Sequence, residues 1–469
     1  NMADAIRLLT VDRGLDARNF SLISFGGAGP LHASEVAKVL DISKVIIPPH
    51  PGLCSALGTV LTDLRVDRAR TVYHRTDNLN LEKISSQLTS LVEEAKDEIK
   101  RDGNRGNVDS IAYLNMRYLG QNFGELIPIA GVKINKRTVK KAIHDMNSKH
   151  MELYGYSMQD RVVEVTELRV ILLGGKSVVA TLSAPKKKPL IKFSNRKVYF
   201  ESEGFIDTPV YRRETIGLGK KIKGPAIIEE MDSTTLVHPG CTLQVGADGS
   251  LLINHSQVFV GNKIRRKDIF SDKDPVTLTV VDNALRNICD EMGSAMIRTA
   301  YSPIFSESRD FSCLLFDRFG RMIGQAEMNP AIMCAGLHTV PHCIEEVGRD
   351  NFFPGDVVVH NDPYRGQCHM PEHLLLKPVF IEKELVGFAG NIAHIGEIGG
   401  MAIGSFASTA TEVFQEGLRI PPVKLMSEGE YVKEVWRIMM ANHRTPDATW
   451  GDFHAILGSL NTAESRLQG

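Results

Sequence analysis

No apolar run in the sequence approaches the roughly 20 residues that a membrane-spanning helix needs. The first residues, Asn1-Met-Ala-Asp4, have neither the basic segment nor the apolar segment of a secretory leader. Cysteine is sparse and unpatterned. Its seven positions, 54, 241, 289, 313, 334, 343 and 368, form no CxxC pair. Reduced thiols and a cytoplasmic location are the expectation. Charge of one sign is also lacking: 55 Lys and Arg against 56 Asp and Glu leave a net charge of −1. That balance argues against nucleic acid or an anionic membrane as partner. There is no internal repeat and no low-complexity segment.

What is there is enough apolar residue, 43% of 469, to fill several cores, so two to four domains are expected. The start alternates helix and strand. A helix is expected from Met2 to Val11, a short strand from Phe20 to Phe25, and a glycine turn at Gly26–Gly29. Pro30 opens a helix to Leu40, Lys44–Ile47 is a second strand, and Gly52–Leu64 a second helix. Alternation of this kind predicts a parallel α/β sheet. Leu88, Leu91, Val92, Ala95 and Ile99 place a long amphipathic helix over Leu81–Lys100. From about 108 to 260 the pattern is mainly strands, among them Ser110–Tyr118, Val162–Leu173 and Ala226–Ile228. Residues 261–273, with Lys263, Arg265, Arg266, Lys267 and Asp268, read as a polar linker. A helix follows from Val276 to Tyr301, then strands at Ser312–Phe316 and Asp356–His360. Asn1 reads straight into a helix and Gly469 ends near one, so the chain is expected to be a fragment of a longer protein.

The strongest chemical signal is histidine. Six of fifteen, His338, His342, His360, His369, His373 and His394, fall within 57 residues. His369 and Glu372 are three apart and can reach one ion, His394 lies in Asn391-Ile-Ala-His-Ile-Gly396, and Asp310 offers an earlier carboxylate. Two imidazoles and two carboxylates suit zinc, manganese or iron and are poor for calcium. Satisfied surface or core histidines explain the same pattern. The turn Phe25-Gly-Gly-Ala-Gly-Pro-Leu-His32 is either a nucleotide contact or a tight strand-to-helix turn; it matches neither the Walker pattern nor GxGxxG. In Asn361-Asp-Pro-Tyr-Arg-Gly366, Arg365 either pairs with an anion or braces the loop. Gly396, Gly399, Gly400 and Gly404 form either a ligand-approaching loop or a flexible connection. Glu412 and Glu416 either face the same space or lie on a solvated helix face. Cys368 is either reactive or a small buried side chain.

Several stretches resemble the hydantoinase/5-oxoprolinase family. Positions 1 to about 260 resemble the C-terminal part of the A-type protein through Phe25–Ala33, Ile47-Pro-Pro-His-Pro-Gly-Leu-Cys-Ser-Ala-Leu-Gly58, Arg117-Tyr-Leu-Gly-Gln121 and Lys223-Gly-Pro-Ala-Ile-Ile-Glu-Glu230. Positions 274–469 resemble the N-terminal part of the B-type protein through Ser308-Arg-Asp-Phe-Ser312, Asn361–Gly366 and Arg444-Thr-Pro446. The resemblance implies a mixed α/β and α+β multidomain chain. Residues 1–66 would end an actin-like ATPase domain whose catalytic start is missing from this chain. Residues 67–260 would form a β-rich region and 274–469 an α+β metal-binding unit. It implies ATP with Mg2+, contacted at Gly26, Gly27 and Gly29, and one Zn2+ or Mn2+ ion on Asp310, His369, Glu372 and His394. Two departures stand out: Glu372 occupies a position usually Asp, and Met328-Asn-Pro330 replaces a histidine-containing stretch.

The activity implied is ATP-dependent hydrolysis of a cyclic amide, 5-oxoproline or a hydantoin. Carbonyl phosphorylation would be followed by metal-assisted attack of water, with Arg365 steadying the phosphorylated intermediate. The alternative in the same family is an ATP-dependent ketone carboxylase acting on acetone or acetophenone; a third reading is a metal-stabilised scaffold that only binds partners. A homo- or hetero-oligomer of A-type and B-type parts is expected.

Overall fold

A computed structural model describes residues 2–103, 106–174, 191–201, 203–255 and 275–468. Among them the chain is a mixed α/β protein with four sheets. It divides into two compact units that do not follow chain order. One joins Asn1–Asp63 to Lys176–Ala284, the other Leu64–Gly175 to Leu285–Gly469. The stretch 67–260 therefore contributes to both. The basic cluster at Lys263–Asp268 within the expected linker lies outside the described residues.

In the first unit the expected strand at Phe20–Phe25 is only Leu22–Ile23, and it pairs in parallel with Lys44–Ile47. The helix between them, Gly29–Val39, buries Ala33 and Ala37 on one face and carries its proline in the first turn. The sheet is nonetheless not the parallel one expected. The other edge of Lys44–Ile47 takes Leu251–His255 antiparallel, followed by Cys241–Val245 and Lys221–Lys223. A strand this short carries no sign of its partner's direction, and the partner lies some two hundred residues away. Val45, Ile47, Leu243, Leu251 and Ile253 pack with Ala33 and Ala37 as the core. The helix expected at Gly52–Leu64 is shorter, Cys54–Leu61. A second sheet runs Thr234–Val237, Ala226–Glu229, Gly204–Arg212, Lys192–Phe200.

The second unit holds two antiparallel sheets. A four-stranded sheet orders Leu64–Arg75, Val163–Gly174, Val108–Tyr118 and Glu125–Ile129, covered by the helix Leu81–Arg101. A further helix, Lys136–Tyr154, interrupts the stretch expected to be mainly strands. Its reason is legible afterwards: Val139, Ala142, Met146, His150 and Tyr154 recur at helical spacing, and Asn135 caps it by accepting from the Thr138 N–H at 2.9 Å.

The seven-stranded sheet orders Met322–Gln325, Phe311–Asp317, Glu384–His394, Glu372–Ile381, Val357–His360, Val423–Ser427 and Glu430–Tyr431. Its central strands carry apolar stretches such as Val357–Val359 and Leu374–Leu376 because both faces are covered. Leu314, Phe316, Leu374 and Leu376 pack against Ile332, Ala335, Val340 and Ile344 of the helix Pro330–Val347. Cys313, Leu315, Leu375 and Ala389 face the opposite way, against Met292, Met296, Phe453, Ile456 and Leu460 of the helices Pro275–Thr299 and Pro446–Gln468. No helix among the described residues is long and apolar enough to cross a membrane.

Candidate metal centre

Strand pairing assembles the site. Glu372 begins one strand and His394 ends the next, and the antiparallel register sets them opposite each other. The third strand pairs Phe311 with Ala393, so Asp310 falls beside His394, whose N–H donates to the Asp310 carbonyl at 3.0 Å. All three side chains lie on the face that also carries Leu314 and Leu374, since alternate residues share a face. His373, one residue on, turns to the other face and meets the Phe453 ring at 5.5 Å.

His369 reaches the cluster from the loop before Glu372. One ligating atom each of His369, Glu372 and His394 falls within a 4.8 Å span. The His369 Nδ1 contacts Glu372 Oε2, and that oxygen also accepts from the His369 N–H at 3.1 Å. The other carboxylate oxygen is 3.7 Å from His394 Nδ1. Asp310 stands slightly outside, 3.8 Å from the same nitrogen, with its second oxygen accepting from the Asn329 amide at 2.6 Å. Its backbone is presented by Arg309 in the left-handed conformation, φ 54°, which ends the turn Ile304–Ser308. Burial pushes both imidazoles below their ordinary value, with Asp310 pulling the other way. Both rings are therefore neutral near pH 7 and have a lone pair to offer. Phe406 lies beside the two rings, 6.2 Å from each.

The Asn361–Gly366 turn explains how the His369 loop is held. Asn361, wholly buried, donates to the carbonyls of Met370 and Leu418 at 2.8 and 2.9 Å and accepts from the Ile420 N–H at 2.7 Å. Asp362 caps the turn through the Tyr364 N–H at 3.0 Å. Arg365 binds Glu346 at 2.6 Å and Asp362 at 2.5 Å, the geometry of a brace. Gly366 closes the turn at φ 97°, lying so near the helix that a Cβ would sit 2.9 Å from the Thr339 nitrogen.

Of the remaining histidines in the cluster, His360 and His373 are core residues and His338 and His342 are exposed on the helix Pro330–Val347. The glycine loop after His394 is packed at Gly396, Gly399 and Gly400, whereas Gly404 faces open space. Gly399 and Gly400 have positive φ and crowd the backbone of Asn442, Gln415 and Glu416, while Arg444 ties Glu397 to it at 2.9 Å. Glu412 and Glu416 line a cavity of about 390 Å3 with Tyr364, Cys368, His369 and Thr411. They flank a single turn, Val413–Gln415, so the helix face considered for them does not exist. Cys368 is exposed, which removes the buried alternative. Asn329 and Phe406 went unremarked as site residues. Asn329 sits in Met328–Pro330, where the departure from the family pattern was the available signal.

In the first unit, Gly26 takes φ 87° with open space where a Cβ would point, and its N–H donates to the Pro51 carbonyl at 2.7 Å. The Gly27 carbonyl accepts from the Ser233 hydroxyl at 3.0 Å, and Gly29 approaches the Ser24 hydroxyl too closely for comfort with a Cβ, at 3.1 Å. The turn is thus tight and partly open. Beside Pro49 and His50 a cavity of about 450 Å3 is walled by the ion pair of Arg213 and Glu230, at 2.9 Å.

Three family models match the chain: Hydantoinase/oxoprolinase over residues 1–68, Hydantoinase/oxoprolinase C-terminal domain over 74–257, and Hydantoinase B/oxoprolinase over 274–469. 5-oxoprolinase 1 of Arabidopsis thaliana is 30% identical over 440 residues, covering 92% of this chain and 34% of the relative. 5-oxoprolinase of Dictyostelium discoideum is 28% identical over 473 residues, 100% of this chain and 36% of the relative. The chain thus spans about a third of the length of these relatives. Among solved structures, the ATP-dependent caprolactamase from Pseudomonas jessenii is 28% identical over 54% of this chain and 38% of its own, with a TM-score of 0.38. An acetone carboxylase in its nucleotide-free form is 19% identical over the same shares, with a TM-score of 0.48.

Proposed function

The chain belongs to the hydantoinase/oxoprolinase family, and from that premise we propose that it is part of an ATP-dependent enzyme that hydrolyses a cyclic amide. The observation that carries the reading is the convergence of His369, Glu372 and His394 beside an open cavity. The donors fit a divalent transition ion: two neutral imidazoles and a buried carboxylate, within a span that metal–ligand bonds of about 2.0–2.2 Å can bridge. Asp310, whose carboxylate lies 3.8 Å from the His394 Nδ1, would be the fourth donor. Zinc or manganese suits this set. When bound, such an ion supplies Lewis acidity to a water or carbonyl oxygen.

The chain's own residues supply the rest. Glu372, buried and fixed by the His369 N–H, orients the loop imidazole toward the strand imidazole. Asn329 orients Asp310. Tyr364, Thr411, Glu412 and Glu416 bound the space in which a small ring would sit against His369. An amide carbonyl is a poor electrophile at neutral pH, and phosphoryl transfer from ATP with Mg2+ makes its oxygen a leaving group. Residues 1–66 are assigned to the end of an actin-like ATPase fold, with Gly26, Gly27 and Gly29 on the nucleotide side. Arg365 is assigned to bracing the metal loop, because both Glu346 and Asp362 hold its guanidinium.

The test uses the complete protein with ATP and magnesium. Phosphate release is scored against 5-oxoproline, a hydantoin, and a ketone with and without bicarbonate. Release driven by a cyclic amide, with the ring-opened acid as product, is expected. Release only with ketone plus bicarbonate would overturn hydrolysis and leave the metal centre standing. Arg365→Ala is expected to leave kcat within about tenfold; a fall of more than about 100-fold at unchanged metal content would return Arg365 to the reacting phosphate.

A further inference from the structure

Cys334 and Cys368 are the two exposed thiols; Cys241, Cys289, Cys313 and Cys343 are buried and Cys54 is half-buried. They belong to different segments that meet. The Cys368 sulfur lies 3.5 Å from the Ala331 carbonyl, in the first turn of the helix Pro330–Val347. Cys334 is three residues further along that helix, a spacing that puts it on the same face as Ala331. A helical side chain leans back over the turn before it, so the Cys334 thiol is directed toward the carbonyl on which Cys368 rests. The loop cannot easily leave the helix: Gly366 is pressed against Thr339, and Arg365 is bound to Glu346 on the helix itself.

We propose that Cys334 and Cys368 form a thiol-modification site, oxidised by a peroxide to an intramolecular disulfide that ties the loop to the helix. One thiol, as its thiolate, attacks the peroxide oxygen. The O–O bond breaks, a sulfenic acid forms and one water leaves. The second thiol then attacks the sulfenic sulfur, the S–S bond forms and a second water leaves. Two thiols lose two hydrogens and two electrons, and one peroxide is reduced to two waters. The site does not depend on the metal reading, because it rests on the Cys368 sulfur at the Ala331 carbonyl and on Cys334 one turn further along the same helix face.

The complete protein is treated with hydrogen peroxide under native conditions. Remaining thiols are alkylated, and the digest is read by mass spectrometry. A peptide pair joined through Cys334 and Cys368, two hydrogens lighter than the reduced pair and released by dithiothreitol, is the expected result. Cys334→Ser and Cys368→Ser should each abolish it while melting like the parent. Recovery of Cys368 as sulfinic or sulfonic acid with Cys334 alkylated would overturn the proposal. So would pairing of Cys368 with another copy of the chain, or recovery of both thiols fully alkylated.

Discussion

Glu372 and His394 are direct cross-strand partners at the end of an antiparallel pair, with a carboxylate oxygen 3.7 Å from the imidazole Nδ1. Their meeting depends on register. A slip of one residue would send one of them to the opposite face and dissolve the cluster. The apolar runs on both faces of these strands, Leu374 and Leu376 on one and Leu375 on the other, hold that register against two separate cores.

His369→Ala removes the loop ligand, and metal affinity is expected to fall more than about 100-fold. Asn329→Ala only frees Asp310, for which a fall of about 10–100-fold is expected. Metal content after dialysis, by plasma mass spectrometry, separates the two. Normal content in His369→Ala would sink the assignment.

Gly366→Ala places a Cβ 2.9 Å from the Thr339 nitrogen, at a φ of 97° that a side chain rarely adopts. Backbone cannot give way there. A loss of about 1–3 kcal/mol is expected, read as a lowered Tm, together with weakened metal binding as the loop lifts. An unchanged Tm would show that the loop is not seated as described.

Arg213 and Glu230 form an ion pair in the first unit, both side chains nearly buried, with Arg213 also bonding the carbonyls of Ile47 and Gly249 at 3.2 and 2.9 Å. Arg213→Ala leaves Glu230 buried without its partner and is expected to cost about 3–5 kcal/mol. Arg213→Lys is expected to recover little, because an ammonium cannot span all three acceptors. Denaturant unfolding checks both; near-parental stability of either variant would contradict the geometry.

Burial pushes His150, His360 and His454 down to about 4 from an ordinary value of 6.5. Between those values the unfolded chain takes up protons that the folded chain refuses. The stability these groups contribute is complete above about pH 6.5 and is lost as the pH falls toward 4, by up to about 1.4 kcal/mol per pH unit for each. Tm measured from pH 7 to pH 4 should fall steadily. A flat profile would mean that these imidazoles are reached by solvent.

By itself the sequence determined two of the long helices, Leu81–Arg101 and Pro275–Thr299, and the chemical inventory. Leu81–Arg101 was legible because five apolar residues repeat at helical spacing over several turns. His369 and Glu372 were legible as a pair three residues apart, while the full set with Asp310 and His394 came from the family resemblance. The Asn361–Gly366 turn was legible as a turn through Asn-Asp-Pro. What the sequence could not carry was partnership. The helix Lys136–Tyr154 was lost among strands because its apolar stripe is thin and interleaved with lysines. The antiparallel completion of the first sheet depended on residues 221–255, far along the chain from Lys44–Ile47. Arg365 and the glycine loop each had two readings, and only the positions of Glu346, Asp362, Asn442 and Arg444 favoured bracing and packing. Periodicity and turn chemistry are local and survive in one dimension. Register, strand direction and the partner of a charged side chain are decided by which surfaces are buried together, and that is a property of the folded chain alone.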